Sequence, residues 1–163
     1  MKRFVDVRRT AVALLAVGLG FCLAGTASAQ VVPHKEKASG TIHVSELISD
    51  TVAVQEWSAQ GTATHMGNYT QTGSHKVDLL TGEIFDGEFT SVAADGSTAS
   101  GIYSGTFTLN ADGTVRYEVT AIWLEGTGRL EGLEGIGDVT AVATGVAPGS
   151  TFRYVTDGEW DLP

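Results

Sequence analysis

Short stretches of alternating apolar and polar residues recur along the chain after residue 40. In the clearest one, Val115, Tyr117, Val119, Ala121 and Trp123 share one side of an extended segment, with mostly polar residues between them. Alternation with a period of two is typical of a β-strand that buries one face. Apolar residues nowhere recur at intervals of three and four over a dozen positions here, so we predict no helix in this part.

Turn signals separate the alternating stretches. Asn110-Ala111-Asp112-Gly113, Ala94-Asp95-Gly96 and Leu80-Thr81-Gly82 combine side chains that bond locally with glycines that tolerate positive φ. Successive hairpins without a helix fit an antiparallel barrel or a sandwich, and closure into a barrel removes exposed strand edges. We therefore predict an all-β fold, an eight-stranded antiparallel barrel. The predicted strands are 40–48, 53–65, 69–79, 83–93, 97–109, 114–123, 136–146 and 150–160.

Residues 1–29 have the layout of a cleavable secretory signal peptide with a short signal helix. Four basic residues lie in the first nine positions, an apolar run follows over 11–23, and Ala27-Ser28-Ala29 supplies small residues before a cleavage point at Gln30. The run of about 13 residues is shorter than the ~20 that span a bilayer, so we expect no permanent membrane span. Arg8-Arg9 leaves the export route open between the general and the twin-arginine pathway. The predicted location is secreted or periplasmic.

Composition changes the picture once the leader is removed. Of 163 residues, 10 are Lys or Arg and 19 are Asp or Glu, and cleavage removes four of the bases and one acid, which leaves a net charge of −12. Nucleic acids and anionic membranes require a basic surface, so neither is an expected partner. The single cysteine, Cys22, lies in the leader, and a packed core must therefore stabilise the exported chain without a disulfide.

The mature chain divides into two predicted parts. Residues 30–39 are polar and contain a proline, which indicates a linker, and residues 40–163 form the barrel domain. A chain of this size buries roughly two-thirds of its unfolded surface, enough for one core.

Catalytic and metal signatures are weak. The glycines of Gly126–Gly137 do not have dinucleotide-binding spacing, and no serine elbow or mature cysteine offers a nucleophile. Glu125, Glu131, Glu134 and Asp138 are weak candidates for Ca²⁺ ligands, but their spacing matches no known loop and a solvated surface is the favoured interpretation. We predict no metal and no cofactor, and we assign no catalytic residue.

Three segments carry a resemblance to a known group of barrels. They are residues 61–70 (GTATHMGNYT), residues 93–97 (AADGS) followed by 103–105 (YSG), and residues 125–137 (EGTGRLEGLEGIG). Together they resemble motifs of small secreted bacterial proteins of the allene oxide cyclase and dirigent type, and the likeness covers about residues 55–160. The resemblance implies a calycin-like barrel of eight antiparallel strands around a central cavity. It transfers no catalytic residue to this chain.

Five residues are candidates for lining a pocket. His65 lies in the first of the three segments, and Tyr103, Phe107, Tyr117 and Trp123 alternate towards one face of their strands. Such aromatics either fill a small barrel or surround one apolar ligand, and the sequence leaves open whether their face is the lumen or the outside.

Three functional hypotheses follow. The leading one is a secreted or envelope-associated barrel that binds a small apolar ligand or has a structural role. The second is an isomerase or cyclase that acts on a lipid-like substrate in the lumen, which requires a buried ionisable group in a wet cavity. The third is a protein-interaction or oligomerising module, including a homo-oligomer, which requires an exposed apolar patch and a filled lumen. A ligand-binding lumen of ordinary size would hold about 300 Å³ or more.

Overall fold

The computed structural model describes residues 30–163, and the predicted signal peptide lies outside them. Every strand is antiparallel to its neighbours in chain order, and the last strand pairs with the first, so the sheet closes on itself. The only helical element in this range is one 3₁₀ turn, Gly128–Leu130. The prediction of an all-β, eight-stranded antiparallel barrel is confirmed. The strands are β1 (Gln30–Leu47), β2 (Val52–Ala63), β3 (Gly67–Asp78), β4 (Glu83–Ala93), β5 (Thr98–Leu109), β6 (Val115–Gly126), β7 (Glu134–Ala143) and β8 (Thr151–Leu162).

The first strand corrects the predicted linker. Seven of the eight predicted strands begin and end within three residues of the observed ones, but β1 begins at Gln30 instead of residue 40. Residues 30–39 pair in full with β8, and His34 and Glu36 point inward and are buried. Because these inward residues are polar, the apolar alternation that marks the other strands is missing. Pro33 is tolerated because this part of β1 pairs with β8 alone, β2 joining only from Glu36.

The two ends of the barrel differ in construction. We call the end that holds the β2–β3, β4–β5 and β6–β7 connections the motif end, and the other the hairpin end. Buried apolar side chains close the motif end as a layer of Met66, Leu130, Leu133 and Trp160, beside Trp123. A second buried layer lies at the hairpin end and consists of Ala53, Val77, Ile84, Val115 and Ala143.

Arg129 joins the connections of the motif end. Its guanidinium donates hydrogen bonds to the carbonyl oxygens of His65 and Met66, the latter at 2.9 Å, and to Asp95 Oδ2 at 2.5 Å. Its backbone N–H donates to Ser97 Oγ at 3.2 Å. The three segments singled out in the sequence therefore meet around the side chain of Arg129. They are held together by hydrogen bonds from its charged guanidinium to turn carbonyl oxygens and to Asp95.

Inward glycines make room for aromatic rings from neighbouring strands. A Cβ at Gly73 would collide with the indole of Trp57, and a Cβ at Gly87 would stand 2.8 Å from Tyr103 Cδ2. Because glycine has no side chain, the ring from the neighbouring strand occupies the interior space beside it, and the interior stays filled at these positions. The high glycine content thus serves the packing of the interior as well as the turns.

Candidate functional site

A cavity of about 100 Å³ lies inside the barrel between the two apolar layers. Every one of the eight strands contributes to its wall, and Gln55 and His75 on that wall are each two residues from the hairpin-end layer. Most of the wall is aromatic or aliphatic carbon, including Trp57, Phe89 and Phe152. The buried polar side chains on the wall are Glu36, Gln55, Gln71 and His75.

The structure separates the five predicted pocket residues. Tyr103, Tyr117 and Trp123 line the cavity, so the alternating face of β5 and β6 is the lumen. Phe107 lies on the same side but nearer the hairpin end, where its ring centroid is 6.2 Å from that of Tyr117, and it is not part of the wall. The expectation that His65 faces the lumen is not met.

His65 lies outside the cavity because β2 ends before it. The strand stops at Ala63, and His65 has a φ of 67° in the β2–β3 turn, so it no longer follows the strand's alternation. Its Nε2 is 3.3 Å from the carbonyl oxygen of Pro33 at the motif end.

The four candidate metal ligands do not converge. Glu125 accepts a hydrogen bond from Ser100 on the outer face, and Asp138 accepts one from Thr120. Within residues 30–163, no three His, Asp or Glu side chains lie close enough together to share a metal ion.

One chain of hydrogen bonds crosses the cavity wall near the hairpin end. Trp57 Nε1 donates to Tyr103 Oη at 2.8 Å, and Tyr103 Oη lies 2.8 Å from His75 Nδ1. His75 Nε2 is 3.0 Å from Gln55 Oε1, whose amide nitrogen donates to the carbonyl oxygen of Val146 at 3.0 Å. Because Gln55 Oε1 can only accept, His75 carries its proton on Nε2 and accepts the Tyr103 hydroxyl at Nδ1.

The ionisable groups of this chain are held neutral. Burial lowers the pKa of His75 to about 4, so the imidazole carries no charge at neutral pH. Burial likewise raises the pKa of Tyr103 above its usual value. The donors and acceptors of the chain are used on one another and offer little to an incoming molecule.

A second chain of hydrogen bonds lies deeper in the barrel. Tyr154 Oη donates to Gln71 Oε1 at 2.5 Å, and Gln71 Nε2 donates to Ser91 Oγ at 2.9 Å. Tyr69 Oη, 2.6 Å from Tyr154 Oη, must therefore be the donor of that contact. Burial is the main cause that raises the pKa of both phenols, and the nearby carboxylate of Glu36 adds to it.

Glu36 is one of two wall residues with an incompletely bonded polar group; the other is Trp123, whose Nε1 has no hydrogen-bond partner among the described residues. Its side chain is only 2% exposed, and Oε2 accepts a hydrogen bond from Thr156 Oγ1 at 2.9 Å. Oε1 lies 3.4 Å from His34 Nε2 without forming a hydrogen bond. Glu36 borders the cavity, whereas His34 lies behind it, stacked on Trp160 with ring centroids 3.7 Å apart.

Sequence reasoning missed Glu36, Gln55, Gln71 and His75 because all four are polar. One signal was available: each is in phase with apolar inward residues of its own strand, as Gln55 is with Ala53 and with the half-buried Trp57. Assigning the inward face of each strand from the alternation of its residues, and not from the polarity of each residue, would have identified these four side chains.

The described residues contain no helix that is long and apolar enough to cross a membrane. No family model matches the chain, and neither the curated proteins nor the solved structures include one that matches it.

Proposed function

We propose that this protein is a binding barrel that holds a small, largely apolar molecule in its lumen. The observation that carries the proposal is the cavity of about 100 Å³ walled mainly by aromatic and aliphatic carbon. Apolar cavities of this kind stay dry, and a molecule that fills one gains both dispersion contacts and removal of its surface from water.

The volume limits the ligand to a few heavy atoms. An apolar protein cavity of about 150 Å³ takes up benzene, and drug-sized ligands need roughly 300 Å³ or more. A ligand of about five heavy atoms binds with a dissociation constant on the order of micromolar to millimolar. A lipid-like chain would need the wall to move, so the size favours binding over the cyclase alternative, although Glu36 is the kind of buried ionisable group that the alternative requires.

We place this function outside the cytoplasm, since residues 1–29 have the signal-peptide layout. Membership of the calycin-like group of allene oxide cyclase and dirigent type is part of the same proposal. Two observations support it: the closed eight-stranded barrel, and the meeting of the three resembling segments around Arg129.

A titration with tert-butanol, observed through the methyl NMR signals of Val119 and Val139, tests the binding function. We expect saturable shifts at these cavity-lining residues. Ala141→Leu places extra carbon in the cavity and should abolish the shifts, while Val142→Leu, one residue along on the outer face, should leave them unchanged. Equal binding by both variants would contradict a luminal site.

A second candidate function, self-association, rests on the outer face. Ile102, Ile122 and Ile136 stand side by side in register across β5, β6 and β7, and all three are exposed. Exposed apolar side chains in a continuous row are typical of a contact surface. Sedimentation of the wild type and Ile122→Asp would separate the candidates: an oligomer that the substitution dissociates supports this function, and a monomeric wild type at high concentration excludes it.

A further inference from the structure

We infer that the outer face of β5, β6 and β7 docks a basic amphipathic helix supplied by another polypeptide. The inference goes beyond the luminal function, and it competes with self-association, which would use the same face. It depends on three features of this face: a row of exposed isoleucines, a border of carboxylates, and the spacing of the strands.

The isoleucine row is the apolar centre of the face. Ile102, Ile122 and Ile136 are paired neighbours on β5, β6 and β7, and each is at least 39% exposed. Leu124, two residues beyond Ile122 on β6, is also exposed and extends the apolar surface. A shallow depression beside Ile122 and Ile136 continues to Val31 at the start of β1. Large aliphatic side chains gathered in this way are typical of a contact surface.

Carboxylates border the isoleucine row. The strand register that aligns the isoleucines continues to Glu88 on β4 at one end and to Glu159 on β8 at the other. The exposed Glu125, Glu134 and Asp138 lie beside the row on β6 and β7. Within residues 30–163, none of these five carboxylates forms an ion pair with a lysine or arginine. The face therefore combines an apolar centre with a negative border that no base of this chain balances.

The border charge favours a basic partner over a second copy of this chain. A two-fold pairing of the isoleucine row with itself would bring the carboxylates of both copies together, and like charges across an interface are destabilising. Lysine or arginine side chains of a partner would instead pair with these carboxylates. Apolar contact at the centre and polar contact at the rim are the usual division of a protein interface.

The strand spacing fits the apolar stripe of a helix laid across the strands. Neighbouring strands lie about 4.8 Å apart, and side chains three or four residues apart on a helix have Cβ atoms about 5–6 Å apart. Apolar residues at positions i, i+4 and i+7 of a helix can therefore pack along Ile102, Ile122 and Ile136. In an extended strand, side chains on one face are about 6.7 Å apart, so a strand matches the row less well.

The distance between the end carboxylates sets the length of the helix. Glu88 and Glu159 are separated by four strand spacings, about 19 Å along the wall, which corresponds to about 13 residues of helix. Basic residues at the two ends of such a helix reach these carboxylates, because their long side chains span the gap where the wall curves away.

The test uses a designed helix of roughly 18 residues, with leucines on one face and lysines on the other, titrated against the full mature chain and followed by fluorescence anisotropy. We expect saturable binding to the wild type. Ile122→Ser removes the centre of the row and should weaken binding at least about tenfold. Val142→Ser removes a similarly exposed aliphatic side chain from the outer face of β7 and should leave the dissociation constant unchanged.

A pair of double variants separates the border from the overall charge of the chain. Glu88→Gln combined with Glu159→Gln removes the carboxylates at the two ends of the row and should weaken binding about fivefold. Glu46→Gln combined with Glu83→Gln makes the same change in net charge at exposed positions of the hairpin end, and should weaken it less than about twofold.

Amide NMR shifts of the wild type give a readout that needs no variant. We expect the helix to shift the signals of β5, β6 and β7 around the isoleucines. No binding, shifts centred on another face, an unchanged affinity of Ile122→Ser, or equal losses in the two double variants would overturn the inference. A wild type that sediments as a dimer and excludes the helix would assign the row to a second copy and overturn it as well. Because the row lies outside the lumen, these results are independent of the luminal binding function.

Discussion

The buried imidazole of His75 makes the stability of the barrel depend on pH in a defined window. Its pKa is lowered from 6.5 to about 4 because burial disfavours the charged form. The unfolded chain binds a proton near pH 6.5 and the folded chain only near pH 4, so unfolding becomes more favourable as the pH falls between these values. The full shift corresponds to about 3 kcal/mol of unfolding free energy lost between pH 7 and pH 4.

Urea denaturation of the wild type and of His75→Gln, at intervals from pH 7 to pH 4, measures this contribution. The other titrating groups are present in both proteins, so the difference between the two pH slopes belongs to position 75. Hydrogen bonds lower the pKa values of the Asp95 and Asp112 carboxylates below 3.8. What these carboxylates contribute to the unfolding free energy is therefore lost only at a more acidic pH. Parallel slopes for the two proteins, or an NMR titration of His75 centred near 6.5, would refute the buried chain from Trp57 to Gln55.

Two further predictions concern the frame around the cavity. Replacing Arg129 by Met removes the charged donor shared by the motif-end connections and should cost about 2 kcal/mol of unfolding free energy, whereas Arg116→Met, at an exposed ion pair with Glu118, should cost less than about 1 kcal/mol. Equal urea midpoints for the two variants would contradict this role. Gly73→Ala should destabilise by roughly 1–3 kcal/mol and shift the Trp57 fluorescence, because the new methyl group displaces the indole. Gly145→Ala, in the β7–β8 connection, is the matched control, and an equally small effect at both glycines would show that the ring does not lie across Gly73.

The sequence predicted the strands wherever the inward residues are apolar. β6 is the clearest case, because Val115, Ala121 and Trp123 alternate in phase and all are buried. β1 was shortened because its inward residues His34 and Glu36 are polar, and only pairing with β8 stabilises them as a strand. Hydrophobic alternation reports burial in an apolar interior, and it fails where the interior itself is polar.

Part of the site depended on tertiary geometry that no local pattern contains. A bulge in β4 between Ile84 and Gly87, where Asp86 has a φ of 50°, changes which residues face inward along that strand, since Ile84 before it and Gly87 after it are both buried. His65 was misplaced because a positive φ turns it out of the strand two residues after β2 ends. The pairing of glycines with aromatic rings likewise requires the register of neighbouring strands.

The polar chains inside the lumen have a structural consequence besides their place in the site. The path from Trp57 through Tyr103 and His75 to Gln55 joins side chains of β2, β5 and β3, so its hydrogen bonds depend on the register of these strands. A buried network of this kind penalises a slipped strand by leaving polar groups unpaired. The interior therefore specifies the barrel as well as shaping the cavity.

A crystal structure of the mature chain under xenon pressure tests the central claim most directly. Xenon enters dry apolar cavities too small for drug-sized molecules. The account predicts a xenon site inside the barrel, in contact with Val119, Phe89 and Phe152 and within the ring of eight strands. A lumen filled by side chains, with xenon bound only on the outer surface, would contradict it.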